Sequence, residues 1–226
     1  MMYAVDENKN RVEARPNIRA FCPACGNPVY SACGDKNIWH FRHKSSGECL
    51  WNNKENESDL HRAWKKHFMK SRYNCEIEKR ISERIADVCL VSNRKKAVIE
   101  IQKSSIDSVE INSRTVNYIR NGYNVAWLFD VRDVSHNFSL HDRKGDGKYR
   151  YTSFKWKWAK KYVGDAISLF QYLRLPCQVY LSIYPGSVFQ IKKAYFENNA
   201  PKRGWGYKIP KDRLADSIIR NSNIKV

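Results

Sequence analysis

Residues 84–102, RIADVCLVSNRKKAVIEIQ, constrain the fold more than any other stretch of the chain. A β-branched run from Ile85 to Val91 meets a polar turn, Ser-Asn-Arg-Lys, and then a second apolar run from Ala97 to Gln102. That pattern predicts a β-hairpin. With the turn centred between Asn93 and Arg94, Asp87 falls directly opposite Glu100. Cross-strand neighbours on one face lie ~5 Å apart, so the two carboxylates form a close pair. The strand period of two puts Val98 and Gln102 on that face and sends Val88, Ile99 and Ile101 to the other. Carboxylates set among apolar residues carry a desolvation cost unless a cation offsets their charge. Hard oxygen ligands suit magnesium or manganese. The plain alternative is a solvated hairpin face with two unrelated acids.

Charge points to the partner. Lys and Arg number 41 against 23 Asp and Glu, a net +18 over 226 residues. Such an excess favours a polyanion, most simply nucleic acid. A membrane surface fits less well, because the sequence has no long basic amphipathic helix and no lipidation motif. No apolar run approaches the ~20 residues of a membrane span, and the polar start MMYAVDENKN does not read as a secretory signal. The expectation is a cytoplasmic protein without membrane contact. Thirteen Tyr and seven Trp argue for a folded chain rather than a basic disordered tail.

Seven cysteines in such a chain argue against a disulfide framework, and four of them fall between Cys22 and Cys49. Cys22 and Cys25 make a C-x-x-C knuckle followed by Gly26, with His40 and His43 further on in WHFRH. This set predicts a tetrahedral zinc site of the Cys2His2 type. The His-x2-His spacing is short for two ligands on one helix, so Cys33 and Cys49 stand as alternative ligands. A segment this short lacks a hydrophobic core, and a structural zinc would be what folds it.

Beyond residue 52 the pattern becomes helical. Ser58 stands at a capping position, and Leu60, Trp64 and Phe68 recur at i, i+4 and i+8. Glu57 and His61 share one face; they either serve the helix N-terminus and surface or lean over the carboxylate pair. CEIEKRI reads as a strand, with Cys75, Ile77 and Lys79 alternating against Glu76, Glu78 and Arg80. After the hairpin, Ile106, Val109, Val116 and Ile119 predict a helix with Gly122 at its C-terminal end and with Arg114 and Tyr118 on one face. NVAWLFDV is a buried strand. The order helix, three strands, helix, strand predicts two helices on a small mixed sheet centred on the acidic hairpin.

Residues 132–226 read as a basic, aromatic α/β extension. Lys155, Lys157, Lys160 and Lys161 interleave with Phe154, Trp156 and Trp158, a mixture that suits phosphate contact and base stacking or an ordinary amphipathic edge strand. The buried placement is favoured for the aromatics and phosphate contact for the lysines. DAISLFQYLRL reads as a helix, and CQVYLSIYP and SVFQIKKAYF as strands joined at Pro-Gly. The GDG at Gly145 to Gly147 reads as a turn, not a nucleotide loop.

The order of these pieces resembles the CoiA-like competence nucleases, a branch of the PD-(D/E)xK phosphodiesterases. The resemblance covers roughly Phe21 to Asp130. It rests on CPxC and HFxH, ESxxH at Glu57 to His61, ADV at Ala86 to Val88, EIQ at Glu100 to Gln102, Arg114, Tyr118 and NVAWLFD. It implies a restriction-endonuclease-like α+β core at residues 53–131, after an N-terminal zinc-knuckle segment at 1–52. It further implies Asp87 as metal-binding aspartate and Glu100 as second acid, with Glu57 an acid supplied by the first helix and His61 part of that same motif. Gln102 stands where most such nucleases carry lysine, and a glutamine supplies neither that charge nor a titrating proton. The resulting expectation is a Mg2+- or Mn2+-dependent deoxyribonuclease with catalytic residues Asp87, Glu100, Gln102, Glu57 and His61. Arg114, Lys103 and the four lysines at 155, 157, 160 and 161 would contact DNA. A non-catalytic nucleic-acid-binding module on the same fold is the alternative, and a protein partner or second copy of the chain stays open.

Overall fold

The computed structural model describes residues 1, 3–35, 39–44, 49, 59–93, 95–144, 150–173 and 175–222. Ser58, Glu57 and the Gly145–Gly147 turn therefore lie outside the described residues. The chain forms two compact units, Met1–Arg62 with Glu83–Ile85, and Ala63–Ser82 with Ala86–Val226.

The first unit carries strands β1 (Tyr3–Val5), β2 (Arg11–Glu13), β3 (Ala20–Phe21), β4 (Pro28–Ala32) and β5 (His40–His43). They form one antiparallel sheet in the order β2-β1-β3-β4-β5. Its core is small: Ala4, Ala20, Cys22, Val29, Phe41 and Cys49 are among the few buried side chains.

The long strands lie in the second unit. Helix α1 (Asp59–Met69) is followed by β6 (Asn74–Ile81), β7 (Arg84–Ser92), β8 (Lys95–Gln102), α2 (Ser108–Arg120) and β9 (Asn124–Asp130). This is the helix, three-strand, helix, strand order read from the sequence. There follow β10 (Phe138–Lys144), β11 (Arg150–Trp156), α3 (Lys161–Tyr172), β12 (Cys177–Tyr184), β13 (Ser187–Glu197), β14 (Ala200–Pro210) and α4 (Leu214–Arg220). Nine strands form one mixed sheet in the order β10-β11-β14-β13-β12-β9-β8-β7-β6. Sequence order alone puts the acidic hairpin at the centre of a small sheet; here it lies near one edge of a large one. The reason is β12, which adds parallel to β9 and so carries residues beyond 131 into the same sheet.

Every residue of β9 is buried, as its unbroken apolar run requires. Helices α2 and α3 cover one face, where Trp127, Phe129, Tyr118, Ile111, Val163 and Ile167 share a core. Of the expected apolar stripe of α2, Ile106 and Ile119 pack against the core while Val109 is 73% exposed, and Ile111, Thr115 and Tyr118 are the buried positions. Thr115 accepts a hydrogen bond from Trp127 Nε1 at 3.0 Å, which fixes the helix on β9. Asp107 caps the helix start, accepting from Val109 N at 2.7 Å. The helix ends in a Schellman turn, with Tyr123 N on Tyr118 O at 3.0 Å and Gly122 in the left-handed region at φ 81°. In the extension, Phe154 and Trp156 are core residues while Trp158 is 60% exposed. Gly204 and Gly206 leave no room for a Cβ, which would collide with the Lys193 and Gln190 carbonyl oxygens and come within 2.7 and 2.9 Å of the Phe154 and Phe189 rings.

Candidate functional site

The hairpin register runs from Val88 opposite Ile99 to Ser92 opposite Lys95. Continued by one residue, it sets Asp87 against Glu100, and Cys89 and Val98 on that face join the core under α2. Both acids are buried, Asp87 at 4% and Glu100 at 1% exposure. Asp87 Oδ2 accepts from Ile101 N at 3.0 Å. Its other oxygen lies 3.7 Å from Lys65 Nζ, which also donates to Glu78 Oε1 at 3.0 Å. Glu100 is held from α2: Tyr118 OH donates to Oε1 at 2.7 Å and Arg114 Nη1 to Oε2 at 3.1 Å. Arg114 also donates through Nε to Glu110 at 2.7 Å, so one guanidinium bridges two carboxylates.

Three buried carboxylates, Glu78, Asp87 and Glu100, thus share the site with two cations. An unpaired buried ion carries an effective penalty of several kcal/mol, and these contacts offset it. Burial pulls the Arg114 guanidinium down, but Glu100 and Glu110 outweigh it and the net shift is upward. Burial, then the Glu100 charge, raises Tyr118 well above the usual phenol range, so it stays a neutral donor.

Lys65 and Glu78 escaped the sequence reading for different reasons. In WKKH, one lysine is buried and the next exposed, and only the rotation of α1, set by Trp64 and Phe68, selects Lys65. Glu78 belongs by alternation with Glu76 and Arg80, yet its backbone adopts φ 52°. That breaks the alternation, so Ile77 and Glu78 are both buried.

The other expected residues are more scattered. Gln102 donates its amide to Ser104 O at 2.9 Å. Lys103 is exposed, and its carbonyl accepts from Tyr162 OH at 3.0 Å. His61 lies on the part of α1 that belongs to the first unit. Glu57 is outside the described residues. Lys155 is exposed on β11, and Lys157 sits 4.5 Å over the Trp158 ring. Lys160 pairs with Asp133 at 2.7 Å and Lys161 with Asp165 at 3.0 Å.

In the first unit the ligand atoms of Cys22, Cys25, His43 and Cys49 lie within 4.8 Å of one another. Cys22 Sγ is 3.6 Å from Cys49 Sγ, and Cys25 Sγ is 3.4 Å from His43 Nε2. Tetrahedral thiolates at a Zn–S distance of ~2.3 Å stand about 3.8 Å apart, so the donor set fits zinc. The knuckle turns on Gly26 at φ 73°, with Gly26 N bonded to Cys22 O at 2.8 Å. His40 is not in the cluster; its Nε2 accepts from Arg42 Nε at 2.8 Å. The two histidines come from a strand, where an odd separation sends them to opposite faces. Cys49 takes the fourth place, and Cys33 packs against the small core. Burial pushes the Cys22 thiol up to about 12 and lowers His43, leaving a neutral imidazole able to bind metal.

No helix among the described residues is long and apolar enough to cross a membrane. No curated protein and no solved structure matches the chain. Residues 6–52 match the N-terminal domain of competence protein CoiA. Residues 57–200, more than half of the chain, match the CoiA nuclease-like domain. With zinc-compatible knuckle and nuclease-like core in this order, the chain belongs to the family of CoiA-like competence proteins.

Proposed function

We propose that this protein is a metal-dependent nuclease that hydrolyses phosphodiester bonds of DNA. The observation that carries the reading is the pair of buried carboxylates, Asp87 and Glu100, presented from facing strands and each held by a cation from a helix. Each carboxylate oxygen keeps lone pairs beyond the hydrogen bond it accepts, so the donor set suits magnesium or manganese. Asp87 and Glu100 would hold the ion, with the Ile101 carbonyl a further ligand. Such an ion, when bound, polarises the scissile phosphate and lowers the pKa of water. Tyr118 and Arg114 keep the Glu100 carboxylate in one orientation, and Lys65 does the same for Asp87. Lys65 also supplies a buried ammonium beside Asp87, a charge that Gln102 lacks. Glu57 and His61 are proposed to assist the reaction, His61 by orienting water. Arg114, Lys103 and the lysines at 155, 157, 160 and 161 are proposed phosphate contacts. The substrate would be DNA met in the cytoplasm during uptake, recombination or defence.

One observation favours a second reading, a nucleic-acid-binding protein without catalysis. Both oxygens of Glu100 already accept strong donors, and Gln102 is bonded back to Ser104. Cleavage of labelled single- and double-stranded DNA with magnesium, manganese or EDTA separates the two. The nuclease reading expects metal-dependent cutting that is lost in Asp87→Ala and Glu100→Ala at unchanged zinc content. Binding without cutting, equal in all three proteins, supports the second.

A further inference from the structure

The far end of the large sheet presents a face of which the proposed nuclease site uses Lys155 alone. On β11, Thr152, Phe154 and Trp156 point into the core, so Tyr151, Ser153 and Lys155 point out. The register pairs Ser153 with Trp205 and Lys155 with Arg203, which puts Arg203, Trp205 and Tyr207 of β14 on that outer face. Strand β13 pairs Lys193 with Trp205 and Tyr195 with Arg203, extending the face by one more strand. Glycines fill the alternate places on β14, Gly204 and Gly206, because the backbone of β13 and the core aromatics leave no space for a side chain. The strand is thereby apolar within and aromatic or basic without.

The rings form a connected set. Trp205 lies 5.9 Å from Tyr151 and 6.1 Å from Tyr207, both edge to face. Each flank carries a cation over a ring, Lys192 at 5.9 Å from Tyr207 and Arg203 at 5.9 Å from Tyr195. Tyr151 and Tyr195 are 37% and 51% exposed, and Trp205 and Tyr207 are half-buried beside them. Lys155, Lys192, Lys193 and Arg203 make no ion pair among the described residues, and Glu197 at the end of β13 is the acid on this face. Exposed and half-buried rings interleaved with cations match the two needs of an unpaired strand, a π-face for each base and positive charge for each phosphate. A duplex keeps its bases stacked on each other, so a flat sheet offers it charge alone.

We propose that the outer face of β11, β14 and β13 binds single-stranded nucleic acid by stacking bases on Trp205 and its neighbouring tyrosines. Arg203, Lys155 and Lys193 contact the backbone. This goes beyond the nuclease reading and does not depend on it.

The test is anisotropy of a fluorescein-labelled 20-nucleotide oligothymidine and of a duplex of equal length, with the full chain, in EDTA so that nothing is cut. The single strand is expected to bind about tenfold or more tightly than the duplex at the same salt. Trp205→Ala is expected to weaken single-strand binding about tenfold or more, with Trp205→Phe within about threefold of wild type. Arg203→Gln is expected to lower the salt slope by about one. Tyr195→Ala, at an exposed ring, carries the same expectation as Trp205→Ala where the latter does not fold. Unchanged single-strand affinity in both aromatic variants, or equal duplex and single-strand binding, overturns the proposal. A chain that binds through this face and never cuts overturns the nuclease reading alone.

Discussion

Lys65 Nζ stands 3.7 Å from Asp87 Oδ1 in a site where the lysine is 1% exposed and the aspartate 4%. The ammonium therefore lies among carboxylates, with Glu78 Oε1 at 3.0 Å. Removing one member of such a group costs more than the group is worth, because the remaining charge stays buried.

Lys65→Met is expected to destabilise the protein by about 3–5 kcal/mol, read from urea unfolding. Adding Glu78→Gln to that variant removes an unpaired charge and is expected to recover part of the loss. A Lys65→Met protein as stable as wild type would show that this pair carries no buried charge. Under the nuclease reading, cutting is also lost in Lys65→Met and is not restored by the second change.

The zinc knuckle makes a sharper distinction between neighbouring residues. Cys49→Ser is expected to lose bound zinc and to unfold the first unit, because Cys49 Sγ lies within the ligand cluster. His40→Ala is expected to keep zinc at wild-type stoichiometry, because that ring bonds to Arg42 instead. Metal analysis of purified protein after dialysis against a mild chelator reads both. Loss of zinc in His40→Ala with retention in Cys49→Ser would reverse the assignment.

What sequence could and could not convey follows from the range of the interactions. The hairpin register was legible because a local turn and a period of two determine it, and Asp87 and Glu100 came with it. Cys22 and Cys25 were legible because a C-x-x-C knuckle is only four residues long. The fourth zinc ligand depends on the face of β5, and strand against helix at His40–His43 is settled by pairing with β4, which is a non-local contact. Lys65 depends on how α1 rotates against the sheet, and Glu78 on a left-handed backbone position inside a strand. Neither leaves a periodic trace. The place of the hairpin in its sheet was hidden for the same reason, since β12 joins β9 from some fifty residues away in the chain.

Buried thiols give the protein an alkaline limit. Burial pushes Cys177 and Cys89 up to about 12 from an ordinary 9.0. Lysine 79 partly opposes this at Cys89. A raised folded pKa means that the folded chain holds its protons after the unfolded chain has released them. The stability this represents is complete below pH 9 and falls as pH rises toward 12. Each thiol contributes a slope of up to about 1.4 kcal/mol per pH unit in that window. Melting temperature is expected to decline from pH 9 upward, and Cys177→Ala to melt lower at pH 7 yet with a shallower decline. Identical slopes in the two proteins would remove Cys177 as a source.

Tyr118 offers a way to separate holding Glu100 in place from holding the fold together. Its hydroxyl donates to Glu100 Oε1 at 2.7 Å, and both groups are almost fully buried. Tyr118→Phe keeps the ring, whose packing in the α2 core supports the helix, and removes only the donor. A hydrogen bond to a charged partner contributes about 1.5–3 kcal/mol, so unfolding free energy is expected to fall by that amount. Arg114 remains on Oε2, so Glu100 keeps that partner and loses the donor that fixes Oε1. If Glu100 holds a catalytic ion, loosening its orientation is expected to raise the magnesium concentration for half-maximal cutting about 10- to 100-fold, with maximal rate less affected. Arg114→Lys is expected to behave similarly, because an ammonium cannot reach Glu100 and Glu110 in the fixed fork that a guanidinium provides. A Tyr118→Phe protein with lowered stability and an unchanged magnesium requirement would confine Tyr118 to the fold and remove it from the site.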